Sequence, residues 1–257
     1  MKYMYINELY NSKSGICVIW TGNDGWVINL RGTVIATDLD LHTGNRVPLP
    51  RNVDIVEMAS NIRALFITHG HGDHFNEDTC RFLSDYSNCV FIIPKSCMEK
   101  AAEIGIDSAR VITSVPGETF KWSGLDIRPV RALHGHFLGS VYSGASFDDC
   151  GYMIGSGGFT LYQPGDTVLL NEHFNIRGVD LLFVSPTEHN TWIDNTVRLI
   201  RLLAPAFIIP QHYDSYIETP DNAFWTRGFP DEVYDKLTES EKKKYIKIPQ
   251  GLPLRLL

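Results

Sequence analysis

The densest concentration of reactive side chains is Thr68-His69-Gly70-His71-Gly72-Asp73-His74, with three histidines and a carboxylate in six residues. Imidazole and carboxylate together are the donors that suit Zn²⁺, Mn²⁺ or Fe²⁺. The interposed Gly70 and Gly72 are expected to take tight, positive-φ turns that let side chains two residues apart converge. Four donors on one loop do not close easily around a single ion, because neighbours such as Asp73 and His74 are expected to point different ways. Two ions are therefore expected, each completed by donors from elsewhere. Three further places end a strand with a suitable donor: Leu133-His134-Gly135-His136, Tyr162-Gln163-Pro164-Gly165-Asp166-Thr167 and Ile208-Ile209-Pro210-Gln211-His212-Tyr213.

These donors need a scaffold that delivers strand ends. The first forty residues read as short β segments: Cys17 to Trp20, Trp26 to Leu30 and Thr33 to Thr37, broken by turns rich in Gly, Asn and Asp, as in an antiparallel meander. From about residue 54 the pattern becomes alternating strand and helix. Ala64 to Thr68 is an apolar run, hence a buried strand ending at His69. A helix over Glu77 to Tyr86 precedes a strand at Val90 to Ile93, and Lys95 to Ile104 fits a helix stopped by Gly105. A second β-rich stretch covers about residues 110–163, including Leu125 to Leu133 and the pair Gly151 to Ile154 and Phe159 to Tyr162. Then come a strand at Leu181 to Val184, a helix around Ile193 to Leu203 with Ile193, Val197 and Ile200 on one stripe, and a strand at Ala206 to Ile209. Two halves, each passing from meander to β/α alternation, predict an α/β four-layer αββα sandwich: two mixed sheets face to face with helices outside.

The chain has 257 residues, 23 Lys and Arg, 30 Asp and Glu, and a formal net charge of −7. Its length suits one domain with two pseudo-similar halves, about 1–110 and 111–257. The acidic balance disfavours nucleic acid or an anionic membrane as partner, since both need clustered positive charge. Cys17, Cys80, Cys89, Cys97 and Cys150 are odd in number with no CxxC spacing, so neither a disulfide framework nor a thiolate zinc site is expected. Met1 to Tyr10 lacks the pattern of a secretory signal, and no window approaches the roughly 18 apolar residues of a spanning helix. A cytoplasmic location and a small-molecule substrate are the expectations. Self-association into a homo-oligomer is compatible with this composition.

HxHxDH at a strand end, then a lone His, then Gly-Asp, then a late strand ending in His, resembles the metallo-β-lactamase fold superfamily over residues 15–215. The finer pattern is similar to the branch containing L-ascorbate-6-phosphate lactonase and related metal-dependent hydrolases, where a strand like 208–213 closes the chain. The resemblance implies two divalent ions, Zn²⁺ first and Mn²⁺ or Fe²⁺ as alternatives. It implies one ion on His69, His71 and His134, a second on Asp73, His74 and His212, and Asp166 bridging both. A hydroxide between the ions would be the nucleophile, and Asp73 would double as the group that orients its proton. Dications favour the hydroxide form of bound water and stabilise charge developing on a carbonyl or phosphoryl oxygen. The implied reaction is hydrolysis of a lactone, ester, amide or phosphodiester.

The remaining polar residues carry weaker signals. His136 lies on the same strand face as His134 and would be a supporting, substrate-contacting or solvated histidine. Asp38 ends an early strand, with support of the metal loop by hydrogen bonding balanced against a capping role. His42 and His189 lie in loops that could line a cleft and read as surface rather than catalytic, and His173 reads as structural on a short helix. Arg31, Arg46, Arg131 and Arg201 read as solvated charges, and Tyr213, Tyr216 and Trp225 as core. Two rival functions are a nuclease using the same dimetal site, disfavoured by charge, and a structural or di-iron oxygen-handling protein, disfavoured by the lack of an electron-donating domain.

Overall fold

The computed structural model describes residues 2–42, 44, 46–136, 138–142 and 145–257. The chain forms two compact units, residues 1–114 with 248–257 and residues 115–247.

The first unit is built on strands β1 (Lys2–Tyr3), β2 (Ile16–Gly22), β3 (Gly25–Leu30), β4 (Thr33–Thr37), β5 (Ala64–Phe66), β6 (Val90–Pro94) and β7 (Val111–Ser114). The C-terminal strand Leu254–Arg255 enters between β1 and β2, so the sheet runs β1, C-terminal strand, β2, β3, β4, β5, β6, β7. Its pairings are antiparallel as far as β4 and parallel from β4 to β7. That change is the meander giving way to β/α alternation. Helices α1 (Ile6–Asn11), α2 (Ile55–Asn61), α3 (Glu77–Tyr86) and α4 (Met98–Glu103) bury Leu9, Met58, Leu83 and Ala101 with Ile19, Val27, Ala36, Leu65 and Phe91 of the sheet. Local chemistry starts these helices where expected. Asp54 caps α2 by accepting from the Val56 and Glu57 amides, and Asn76 caps α3 by accepting from Thr79. Asn76 thereby ends the loop that carries His69 to His74.

The second unit holds β8 (Phe120–Trp122), β9 (Leu125–Arg131), β10 (Cys150–Ser156), β11 (Phe159–Gln163), β12 (Leu181–Val184) and β13 (Phe207–Pro210). The sheet order is β13, β12, β11, β10, β9, β8. Here too the antiparallel part, β8 to β11, gives way to parallel pairing of β11 with β12 and β12 with β13. Helix α5 (Trp192–Leu203) places Val197, Ile200 and Leu203 on Tyr162, Leu182 and Ile208, with Ile193 partly buried at the same cluster. Full burial of an aliphatic side chain is worth roughly 1.5–3 kcal/mol, so this stripe suffices to hold α5 on the sheet. Helices α6 (Ala223–Thr226), α7 (Pro230–Lys236) and α8 (Glu239–Lys242) follow β13.

The expected α/β class with two mixed sheets and helices is observed. Three readings are corrected. Ile6–Asn11 is helical rather than part of a β meander: its buried Leu9 and Tyr10 join the helix–sheet core. The expected helix over 95–104 divides into a 3₁₀ turn at Lys95–Cys97 and α4. Finally, β13 does not close the chain, because α6 to α8 and the strand Leu254–Arg255 follow it. All five cysteines are buried and none forms a disulfide. No helix among the described residues is long and apolar enough to cross a membrane.

Candidate metal centre

In the first unit the donor loop leaves β5 and turns back on itself. The His71 carbonyl accepts from the His74 amide at 3.0 Å and the Phe75 amide at 2.7 Å. Lys100 Nζ secures the loop from outside, donating to the carbonyls of Gly70 and Phe75, each at 3.0 Å. The glycines do not work as expected. Neither Gly70 nor Gly72 has a positive φ, and a Cβ on Gly72 would meet nothing within 4 Å. Convergence comes from the turn at His71 instead. The side chains of Asp73 and His74 do not diverge either: Asp73 Oδ2 lies 3.5 Å from His74 Nε2. His69 Nε2 lies 2.9 Å from His71 Nδ1, and the His69 and His74 rings are 4.1 Å apart.

Asp38 organises this loop. It follows β4 in a left-handed conformation, φ +40°, and is fully buried. Its Oδ1 accepts from the Thr68 amide at 2.8 Å, and its Oδ2 accepts from Thr68 Oγ1 at 2.7 Å and from His74 Nδ1 at 2.9 Å. Thr68 Oγ1, having donated to Asp38, accepts from His69 Nδ1 at 3.1 Å. Both Nδ1 atoms are thus the protonated ones. A neutral imidazole carries one N–H, so the lone pairs of His69 and His74 are at Nε2. A histidine that ligates a metal through one nitrogen commonly gives its other N–H to a carboxylate or comparable acceptor in this way. The donors present therefore fit a divalent ion. Asp38 supports the loop rather than capping an element. Asn23, also left-handed at φ +50°, donates from Nδ2 to Asp73 Oδ2 at 3.0 Å and was not singled out by its sequence context.

In the second unit three histidines approach one carboxylate. Asp166 Oδ2 lies 3.4 Å from His134 Nε2, 3.3 Å from His212 Nε2 and 2.9 Å from His189 Nε2, all four residues being buried. Gly165 supplies φ +63° just before Asp166, and a Cβ on Gly151 of β10 would stand 2.5 Å from the Pro164 carbonyl, so the turn needs both glycines. Segment 133 is tied to segment 167, with Leu133 N donating to Thr167 Oγ1 at 3.0 Å and Val168 N to the Leu133 carbonyl at 3.0 Å. Beneath Asp166 and His212, the buried amides of Gln163 and Gln211 donate to each other at 3.0 and 2.6 Å, and Gln211 also reaches Ser185 Oγ at 3.1 Å. His212 itself is left-handed, φ +62°. Non-glycine residues in that region are uncommon, and Asn23, Asp38 and His212 place three of them among the candidate site residues.

His189 corrects the surface reading: it is 3% exposed and in contact with Asp166. No spacing pattern pointed to it, because it sits in the loop between β12 and α5 rather than at a strand end. Asn190 beside it donates from Nδ2 to Asp166 Oδ1 at 2.9 Å. His136 turns into its own hairpin, where Nδ1 accepts from the Leu138 amide at 3.2 Å. His42 Nδ1 lies 3.1 Å from Thr79 Oγ1. His173 is structural as expected: Nδ1 accepts from the Leu170 amide, Nε2 meets Tyr162 Oη at 2.9 Å, and burial lowers its pKa to about 4. Of the four arginines, Arg46 departs from the solvated reading and is buried.

An α/β fold with two mixed sheets and buried His and Asp donors at strand ends is that of a metallohydrolase class. The chain belongs to the beta-lactamase superfamily, whose domain model matches residues 17–212. A metal-dependent hydrolase of Desulforamulus reducens is 27% identical over 158 residues, covering 59% of this chain and 67% of that protein. The chain thus spans about two thirds of that relative's length. The structure of Igni18, a metallo hydrolase of Ignicoccus hospitalis, has a TM-score of 0.73 at 20% identity, over 94% of this chain and 98% of that one. CmlA, a diiron β-hydroxylase of Streptomyces venezuelae, has a TM-score of 0.72 at 13% identity, over 95% of this chain and 54% of that one. At these identities the two structures show the shared fold. The expectation of a metal-dependent hydrolase agrees with the family and with the sequence relative.

Proposed function

We propose that the chain is a dinuclear metal-dependent hydrolase that cleaves a lactone, ester or phosphodiester bond in a small cytoplasmic substrate. One ion would be held by His69, His71 and His134, the other by Asp73, His74 and His212, with Asp166 bridging. Zn²⁺ is the first candidate, ahead of Mn²⁺ and Fe²⁺. The observation that carries the reading is the Asp38 relay. It protonates His69 and His74 at Nδ1 and turns the Nε2 lone pair of His74 toward the Asp73 carboxylate at 3.5 Å. A lone pair facing a carboxylate is electrostatically costly without a cation between them.

The ions would activate a water at neutral pH and polarise the scissile oxygen. Everything else falls to the chain. Asp38 and Thr68 hold the imidazoles in one tautomer, so no reorganisation is needed when substrate arrives. Asp73, steadied by Asn23, is the carboxylate that orients the proton of the attacking water. Gln163 and Gln211 fix the strand ends that carry Asp166 and His212.

Metal analysis of the purified protein, paired with a hydrolysis screen over lactones, esters and phosphodiesters, tests the reading. About two divalent ions per chain are expected, and His71→Ala or Asp166→Ala should abolish both metal binding and hydrolysis. Full activity in a thoroughly metal-free preparation would refute it.

A further inference from the structure

Around Asp166 the second unit holds more donors than the proposed ligand set uses. His134, Asp166 and His189 each offer a donor atom within 4.8 Å of the others, and all three are buried. His189 stands between the other two imidazoles, its ring 4.8 Å from that of His134 and 5.0 Å from that of His212.

Both ring nitrogens of His189 face acceptors: Nδ1 lies 3.4 Å from the Phe224 carbonyl and Nε2 lies 2.9 Å from Asp166 Oδ2. A neutral ring has one N–H for the two, so its lone pair must be set against one of them. The Asn190 amide does not relieve this, because its two N–H groups go to Asp166 Oδ1 at 2.9 Å and Thr187 Oγ1 at 2.8 Å. Two more imidazole nitrogens approach the same oxygen, His212 Nε2 at 3.3 Å and His134 Nε2 at 3.4 Å. A carboxylate oxygen has two lone pairs, so three N–H bonds cannot all be met there. A cation shared by these atoms resolves both conflicts, and a backbone carbonyl on the far ring nitrogen is the usual support of a histidine ligand.

We propose that His189 is itself a direct ligand, through Nε2, of the divalent cation placed on His134 and Asp166. The inference rests on the metallohydrolase reading and adds a protein donor to it. It brings to that ion a further buried imidazole beside one carboxylate, donors that suit zinc or another first-row metal.

Cobalt substitution of the full chain tests this without recourse to activity. Apo protein is titrated with Co²⁺, reading visible absorption and bound metal by equilibrium dialysis, for the wild type, His189→Ala and His189→Gln. The glutamine variant keeps an N–H that can donate to Asp166 while removing the imidazole, so it separates ligation from hydrogen bonding and spares the fold. If His189 is a ligand, both variants lose at least tenfold in affinity for one ion, and their cobalt spectra change. Wild-type affinity and spectrum in His189→Gln would show a hydrogen-bonding role and overturn this inference alone. No cobalt binding by the wild type would overturn it together with the metallohydrolase reading.

Discussion

Asp38→Asn probes the support of the metal loop with the least steric change. Asparagine has the same shape and tolerates the left-handed backbone at φ +40°, so the turn after β4 survives. One carboxylate oxygen becomes an amide nitrogen, which donates and cannot accept. Asp38 accepts three hydrogen bonds, from Thr68 N, Thr68 Oγ1 and His74 Nδ1. Keeping the oxygen on the Thr68 amide puts the new NH₂ opposite His74 Nδ1, which must then accept. The proton of His74 moves to Nε2, and the ligating lone pair disappears. The opposite flip satisfies His74 but sets the NH₂ against the Thr68 amide. Either choice loses at least one buried charge-assisted bond, worth about 1.5–3 kcal/mol. The metal-free variant should therefore lose about that much unfolding free energy. Its metal affinity should fall about 10–100-fold, the range for outer partners of histidine ligands. Chemical denaturation of the apo protein and competitive titration with a zinc chelator read the two quantities separately. An Asp38→Asn protein that matches the wild type in both zinc affinity and apo stability would show that the tautomer argument is wrong.

Thr68→Val removes the hydroxyl that passes the restraint to His69 while leaving the His74–Asp38 bond in place. It should weaken one metal ion more than the other, and a two-step titration that shifts both equally would contradict the relay. Gln211→Ala strands the buried Gln163 amide and should cost about 1–3 kcal/mol, whereas Gln163→Leu with Gln211→Leu should cost less, as measured by denaturant unfolding. His173 has a pKa of about 4 in the fold, because burial disfavours its charged form, against 6.5 when exposed. The unfolded chain binds the extra proton between those values. The stability contributed by neutral His173 is thus fully present above pH 6.5 and is lost as pH falls toward 4, by about 3 kcal/mol at the lower end. Replacing the pair with His173→Leu and Tyr162→Phe should flatten that part of the stability–pH curve.

Regular elements were legible where one periodicity dominated. Glu77–Tyr86 and Leu181–Val184 fall where their patterns place them, and β3, apolar at nearly every position, is buried throughout. Ile6–Asn11 was not legible. Six residues give too few periods to separate helix from strand, and its helicity is decided by docking Leu9 and Tyr10 on the sheet. Leu254–Arg255 is invisible for a related reason: a two-residue strand is defined by its partners β1 and β2, far away in sequence.

The candidate site divides along the same line between local pattern and distant partner. His69, His71, Asp73, His74, His134, Asp166 and His212 are legible as candidates because they stand in loops that follow a strand, where local pattern alone marks the strand's end. His189 and Asn23 stand in loops, and only the packed structure shows that one meets Asp166 and the other Asp73. The glycines of the HxHxDH loop show the converse error. Spacing marks Gly70 and Gly72 as conformational necessities, yet neither is left-handed; the left-handed residues near the donors are Asn23, Asp38 and His212, which bear side chains. Backbone strain at such residues costs about 1–3 kcal/mol each and persists only where the surroundings hold it. Here those surroundings are hydrogen bonds, three at Asp38 and one from Asn23 to Asp73. The conformations that aim the donors are therefore maintained by polar side chains whose roles no local pattern could disclose.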